Sequence, residues 1–241
     1  MKPLEPELLY YYHNSLTLFM LGVWLIFSYI GYTFNKRPII RKISYGLIIF
    51  SILQEFLDYI NRIYLDELYT LSFASDLPLQ FCSIGYYFSL LALIMVVKEH
   101  KYNKKIEQFI FDCAYVLGFG GALQALITVD LTGINNMIGS FALNWQHSII
   151  ILNVLWLIFA YNKRFNLKGV FNAFLFMNLA IIPIGLLNYL LDSNYMFICK
   201  PPAVDSPLII GQWPMYLIAL EFIYFAYILI LYLPFRLFIK K

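Results

Sequence analysis

The sequence predicts an all-α membrane protein, a single domain over residues 1–241 that forms a bundle of seven transmembrane helices. Two observations predict this class. Hydrophobic residues make up 61% of the chain and charged residues only 13%, and the mean hydropathy is +0.71, which is more apolar than a soluble domain requires. The apolar residues also gather in runs of about 20, the length at which an α-helix crosses a bilayer.

The seven runs follow one another with short connections, so we expect no soluble module. The first run comes after Glu5 and Glu7 and lacks a cationic start, so we interpret it as a spanning helix and not as a cleavable signal peptide. The second run is the most polar, because Gln54, Glu55 and Asp58 interrupt it. The runs lie at about residues 14–34, 43–60, 77–97, 106–127, 141–161, 170–190 and 213–235.

The basic residues predict the orientation of the bundle. One set of alternate connections, together with the C-terminal tail, holds fourteen of the 17 Lys and Arg residues, and the other set holds only Lys2, Arg62 and Lys200. Positively charged loops stay in the cytoplasm. We therefore expect the N-terminus outside and the C-terminus inside. The net charge of +3 follows from this bias and does not indicate a nucleic-acid partner.

Two chemically reactive side chains occur at matching depths in this arrangement. Cys82 and His147 each lie about five or six residues from the outer end of a run, which is roughly 8 Å below the same membrane surface. Polar side chains inside a membrane are costly and usually face the bundle interior or a water-filled cavity. We therefore predict an outward-facing pocket around this pair. Its other predicted lining residues are Glu55, Asp58, Gln80, Gln124, Asn144, Asn194, Tyr195 and Trp213.

Local spacing adds two expectations about this outer layer. Asp58 and Arg62 are four residues apart, so they can pair on one helix face. In the fourth run, four small or polar residues recur at helical spacing: Gly118, Gly121, Gln124 and Thr128. They predict one small, polar face that lets a neighbouring helix approach closely.

A thiol and an imidazole in one layer suggest nucleophilic chemistry, but Cys82 has three open interpretations. It is a nucleophile, a small buried hydrophobic residue, or the disulfide partner of Cys199, which also lies on the non-cytoplasmic side. Cys113 is nearer the inner side and is interpreted as structural. His147 is the one histidine inside a predicted span. His13 and His100 are expected to be solvated.

Other function classes have weaker signals. A multi-histidine metal site is excluded by the single histidine within the spans. A site made by His147 with Glu55 and Asp58 stays open, although we predict no metal and no cofactor. No phosphate-binding loop, GxSxG motif or dinucleotide fingerprint occurs. Seven spans around a polar cavity also suit a non-enzymatic binder or transporter of a small amphipathic solute, although no internal repeat is visible. This class remains the alternative to an enzyme.

Five motifs carry a resemblance to a known family, and their combination is specific. They are LPLQFC at 77–82, GGALQALITVD at 120–130, the pair His147–Ser148, NYMFICKPP at 194–202 and GQWPMY at 211–216. Over about residues 45–235 the chain resembles the YwaF-like family of bacterial integral membrane proteins, which is similar to a vertebrate multi-pass acyltransferase for polyunsaturated ether phospholipids. It departs from the pattern at Val129, where proline is usual, and in GQWPMY, where GPWPWY is more usual.

The resemblance implies a function and a location. In the vertebrate relatives a cysteine and a histidine are the proposed catalytic pair, and by motif these are Cys82 and His147. The implied reaction passes an acyl chain from a phospholipid to a lysophospholipid, with membrane lipids as the partners. Glu55 or Asp58 would orient the imidazole. The resemblance, with a composition rich in Lys, Asn and Ile, suggests a bacterial plasma membrane.

The same reaction needs a group that stabilises an oxyanion. Gln80 or Asn144 is expected to donate a hydrogen bond to the oxyanion formed from the ester carbonyl.

Overall fold

A computed structural model describes residues 5–35, 37–98, 101–201 and 209–237. Within these ranges the chain forms seven helices and no β-strand. All seven predicted runs are helical, with shifted ends. The helices are α1 (Pro6–Phe34), α2 (Pro38–Leu65), α3 (Phe81–Val97), α4 (Lys104–Ile127), α5 (Met137–Ala160), α6 (Leu167–Leu191) and α7 (Met215–Leu237).

Six of these helices are long and apolar enough to cross a membrane, and α3 is a shorter apolar helix of 17 residues. The predicted run began at residue 77, but α3 begins at Phe81. Pro78 accounts for the non-helical Leu77 before it, and hydrogen bonds of Leu77 and Gln80 to residues 195 and 196 accompany the late start. Gln80 is still extended, with φ −73° and ψ 154°.

Local sequence signals explain where five of the other helices begin. Asparagine side chains cap three helices: Asn136 accepts from Gly139 N at 2.7 Å, Asn166 from Gly169 N at 3.0 Å, and Asn103 from Lys105 N at 2.8 Å. Each side chain satisfies a backbone N–H that the first helical turn leaves unpaired. Helices α1 and α2 each have a proline in the first turn, where its missing N–H costs nothing.

Helix α5 is the centre of the bundle. Of its 18 most apolar consecutive residues 72% are buried, against 61% for the same length of α4 and 11% for that of α1. It contacts α1, α2, α3 and α4, while α6 packs against α4, and α7 against α6. Hydrogen bonds join α5 to its neighbours, as from Trp156 Nε1 to Ser44 Oγ at 2.8 Å and from Asn153 Nδ2 to Ser51 Oγ at 3.1 Å. Such bonds between apolar helices fix their register.

A buried carboxylate anchors the end of the bundle at which α4 begins. Glu107 accepts from Lys163 Nζ at 2.6 Å and from Lys104 Nζ at 3.1 Å. Lys163 is largely buried, whereas the Lys104 side chain is 68% exposed. The Lys163 pair ties the start of α4 to the connection between α5 and α6, and the Lys104 pair lies within the first turn of α4.

Two stretches of π-helix interrupt the regular helices. Asn61–Leu65 closes α2, and Gly118–Leu123 lies within α4. Short π-helical insertions are rare and frequently occur at functional sites. The second one, the π segment of α4, packs against α3 and α5. It therefore lies between the helices that carry Cys82 and His147.

Candidate functional site

Two glycines of the π segment relate the depth of Cys82 to that of His147. A methyl group on Gly121 would lie 3.1 Å from Cys82 N, and one on Gly118 would lie 2.8 Å from Ile150 Cγ2. His147 is about one turn from Ile150, towards the start of α5. Because α4 and α5 run in opposite directions, that turn brings His147 to the level of Gly121. Cys82 and His147 are thus at a similar depth.

The close approach predicted for the glycines is confirmed, but the prediction of one shared face is wrong. Gly118 meets α5, while Gly121 meets α3. Gln124, the third member of the predicted face, is exposed. The π geometry explains the difference, because its wider turn rotates residues three apart onto different sides of the helix.

Cys82 is the second residue of α3 and is half-buried. No side chain caps the start of α3, so the N–H groups of its first turn remain available to other partners. The backbone N–H and the hydroxyl of Ser83 lie close to the Cys82 thiol. A helix N-terminus of this kind favours a negative charge. Gln80 precedes it, and its Oε1 accepts from Met196 N at 2.9 Å.

His147 is held by its own helix. Its side chain is 3% exposed, and Nδ1 lies 2.8 Å from Leu143 O. A carbonyl oxygen can only accept, so Nδ1 carries the hydrogen and the neutral ring presents a lone pair on Nε2. No hydrogen bond joins His147 to Cys82 in the described ranges. Direct contact between the two side chains stays a prediction.

The predicted carboxylate support of His147 is wrong. Glu55 accepts from the Tyr87 hydroxyl at 2.5 Å, and Asp58 pairs with Arg62 at 2.9 Å, which confirms the predicted pair four residues apart. Both acidic side chains therefore have other partners. The imidazole is oriented by a backbone carbonyl one turn away, a partner that every helix offers.

Arg62 also links α2 to the connection before α3. Its Nη1 lies 2.8 Å from Asp76 Oδ1. Asp76 also accepts from the Tyr69 hydroxyl and from Ser72 N. Partial burial alone would raise the pKa of Asp76, but these hydrogen bonds, one from Ser75 and the Arg62 charge hold it below its ordinary value. Burial and the hydrogen bond to Asp76 raise the pKa of Tyr69 to about 12.

The expectation that His13 is solvated is wrong, because its side chain is 0% exposed. Helix α1 starts earlier than the predicted run and so includes this residue. The apolar stretch at residues 8–12, which reads LLYYY, was the signal for the earlier start. His13 Nε2 lies 3.3 Å from Leu126 O. His100 lies outside the described residues.

Asn144 joins α5 to the same part of α1. Its Nδ2 donates to His13 O at 3.2 Å and to Thr17 Oγ1 at 2.8 Å. An amide nitrogen has two hydrogens, so both are used. Asn144 is therefore a structural link between helices and is not free to donate to an oxyanion.

Three of the predicted pocket residues make hydrogen bonds within and between the connections before α3 and after α6 instead. Tyr195 OH donates to Phe73 O at 2.8 Å and accepts from Leu77 N at 2.9 Å. Asn194 Nδ2 donates to Lys200 O at 2.9 Å. Trp213 is 61% exposed, and its Nε1 donates to Ile198 O at 3.1 Å. The Tyr195 bonds tie the stretch before α3 to the connection after α6, and the other two bonds lie within the connection between α6 and α7.

Asn188, near the end of α6, holds the connection that follows this helix. Its Oδ1 accepts from Tyr195 N at 2.8 Å and from Ser193 Oγ at 2.9 Å, and its Nδ2 donates to Tyr195 O at 3.0 Å. It is almost fully buried. Its position at the polar end of the sixth run was visible in the sequence, but its bonds to Ser193 and Tyr195 form only when the connection folds back over the helix.

The three cysteines are free, so the disulfide interpretation of Cys82 and Cys199 is wrong for this structure. Cys113 is fully buried among apolar residues. In the described part of the chain, no group of three His, Cys, Asp or Glu side chains could hold a metal ion.

Two open cavities lie away from the candidate pair. One of about 590 Å³ adjoins the end of α6 and includes Asn188 and Cys199. The other, of about 460 Å³, adjoins the start of α4 and includes Lys104 and Arg164. Neither is lined by Cys82 or His147.

Comparison with known proteins identifies the family. No curated protein and no solved structure matches the chain. The model of the TMEM164 family matches residues 8–232, which run from the first turns of α1 into the last turns of α7. The candidate pair and helices α2 to α6 fall wholly within this match, and most of α1 and α7 does too. The chain therefore belongs to the TMEM164 family of multi-pass membrane proteins.

Proposed function

We propose that this protein is a membrane-embedded acyltransferase that moves a fatty acyl chain from a phospholipid to a lysophospholipid. The observation that carries the proposal is the tautomer of His147, whose Nδ1–H is bonded to Leu143 O and whose Nε2 lone pair is left for a proton. A cysteine nucleophile requires such a base. The resemblance to the YwaF-like family and its acyltransferase relatives supports the same assignment.

The proposal places the enzyme in the bacterial plasma membrane, with seven spans and the N-terminus outside. The distribution of Lys and Arg supports this orientation. Helix α3 has 17 residues and therefore rises about 26 Å. The extended residues before it lengthen this crossing towards the roughly 30 Å of the hydrocarbon core. Accessibility labelling of a tag at each terminus tests the orientation, and an externally labelled C-terminus would refute it.

In the first half-reaction His147 Nε2 takes the proton of the Cys82 thiol. The thiolate attacks the ester carbonyl carbon of a phospholipid, and the carbon–sulfur bond forms as the carbonyl oxygen becomes an oxyanion. When this intermediate collapses, the ester carbon–oxygen bond breaks. The imidazolium returns its proton to the departing glycerol oxygen. The products are a thioester on Cys82 and a lysophospholipid.

The start of α3 supplies the groups that stabilise the oxyanion. Its first-turn N–H groups have no side-chain cap, and preorganised donors of this kind are effective in a site that excludes water. Gln80 is the remaining side-chain candidate, because its Oε1 is bonded while its amide hydrogens have no partner among the described residues.

The second half-reaction reverses these steps with a different lipid. His147 Nε2 takes the proton of the lysophospholipid hydroxyl, and that oxygen attacks the thioester carbon. The carbon–sulfur bond breaks, and the imidazolium reprotonates the sulfur. Protons and electrons balance without any cofactor.

The test is acyl exchange by purified protein in liposomes with a labelled lysophospholipid, followed by mass spectrometry for an acyl adduct on Cys82. We expect Cys82→Ser and His147→Ala to reduce exchange by about 10²-fold or more, the usual contribution of a general base. Cys113→Ser and Cys199→Ser are the matched controls and should retain exchange.

Full turnover by Cys82→Ser would refute the thioester route. Binding of lysophospholipid by the wild-type protein without any turnover would favour the alternative, a binder or transporter of amphipathic solutes.

A further inference from the structure

One ring nitrogen of His13 has a hydrogen-bond partner among the described residues, and the other has none. Nε2 lies 3.3 Å from Leu126 O and must carry the hydrogen, because the carbonyl can only accept. Nδ1 therefore presents a lone pair. This atom is buried and has no hydrogen-bond partner among the described residues. Since a buried acceptor without a donor is destabilising, the position calls for a bound hydrogen donor.

His13, which carries the unpaired nitrogen, lies against the turn of α5 that precedes His147. The backbone oxygen of His13 accepts from Asn144, which precedes His147 by about one turn on α5. His147 Nε2 is likewise a lone pair without a hydrogen-bond partner in the described ranges. Two lone pairs cannot bond to each other, so the ligand must offer more than one hydrogen.

We infer that the acyl acceptor is a lipid with a second hydroxyl group, such as lysophosphatidylglycerol. His147 takes the proton of the reacting hydroxyl, and His13 Nδ1 accepts a hydrogen bond from the other. This inference rests on the proposed acyl transfer. His13 is a positioning residue in it, since it holds the acceptor and forms no bond to the acyl group.

Two lipids and two variants test the inference. Lysophosphatidylglycerol and lysophosphatidylpropanol have the same charge and the same backbone hydroxyl, but only the first carries hydroxyls on its head group. His13→Asn places an amide near the position of Nδ1, whereas His13→Gln places one near Nε2 and so preserves the contact with Leu126 O. We expect the wild-type protein to prefer the first lipid in kcat/KM by about ten-fold, the effect of one buried hydrogen bond.

The variants separate ligand binding from a structural role. His13→Asn should keep most of the preference, and His13→Gln should lose it while staying folded. An equal preference in all three proteins would overturn the inference. So would the opposite order, with Gln retaining it and Asn not, because the contact with Leu126 O would then be the important one.

A second measurement does not depend on turnover. The chain has three histidines, so nitrogen NMR of the histidine-labelled protein can be assigned by single substitutions. We expect His13 Nδ1 to be unprotonated in the free protein and to shift on addition of lysophosphatidylglycerol but not of the propanol lipid. A protonated Nδ1, or equal shifts with both lipids, would overturn the inference. A selective shift without acyl exchange would refute the proposed reaction and leave the binding site standing.

Discussion

Replacing Gly121 with alanine is expected to loosen the contact between α4 and the start of α3. The new methyl group would lie 3.1 Å from Cys82 N and 3.4 Å from Phe81 Cβ. Non-bonded heavy atoms pack best at about 3.5–4.0 Å, so the helices must separate by roughly half an ångström. The atoms in the way belong largely to backbone, which cannot rotate aside.

The magnitude follows from two opposing effects. Overpacking a well-packed site costs about 1–3 kcal/mol, and exchanging glycine for alanine within a helix gains about 0.5–1 kcal/mol. We therefore expect Gly121→Ala to lower the free energy of unfolding by up to about 2 kcal/mol. Acyl exchange should fall by about ten-fold, because Cys82 moves with the start of α3 and small misplacements of reacting groups are costly.

Gly22→Ala is the matched control. Gly22 lies on α1, and a methyl group there would meet nothing within 4 Å. This variant should gain about 0.5–1 kcal/mol and keep full exchange. The free energy of unfolding of both variants can be measured by reversible denaturation in mixed micelles. If Gly121→Ala gained stability as Gly22→Ala does, the close approach at the π segment would not be the tight contact described above.

Three further predictions concern the ends of the bundle. Asn188→Ala removes three hydrogen bonds at the end of α6 and should lower the free energy of unfolding, measured by thermal denaturation, by about 2–4 kcal/mol. The stability difference between the wild type and Asp76→Asn should be full above about pH 4 and shrink as the pH falls further, because a lowered carboxyl pKa stabilises the fold only while the group is ionised. Lys163→Met should cost about 1.5–3 kcal/mol, and the exposed control Lys104→Met less than about 1 kcal/mol.

The helices were predictable because each depends on a run of apolar residues that is visible locally. The early start of α1 also has a local cause, the apolar residues at 8–12. The late start of α3 instead coincides with hydrogen bonds to residues 195 and 196, which the local sequence does not indicate. The Asp58–Arg62 pair was predictable from the local sequence, since four residues on one helix fix its geometry.

The partners of the candidate residues were not predictable, because they depend on how the helices meet. The π segment rotates Gly121 away from the face of Gly118, and nothing in the local spacing indicates that rotation. His147 bonds to a carbonyl of its own helix. Asn144, three residues earlier, bonds instead to α1, 131 residues away in the sequence. Such choices follow from the register of α1, α4 and α5, which is settled only by packing.

The pairing of α1 with α5 has a consequence for how the protein is made. The two helices run in the same direction, with His13 against Asn144 and Gly31 against Ala160. Asn144 follows His13 by 131 residues, so at about 5–20 residues per second the ribosome completes it roughly 7–26 s later. During that interval α1 lacks the helix that it contacts most, and the backbone oxygen of His13 lacks the amide of Asn144. The contact between α1 and α5 therefore forms only after the intervening helices have been made.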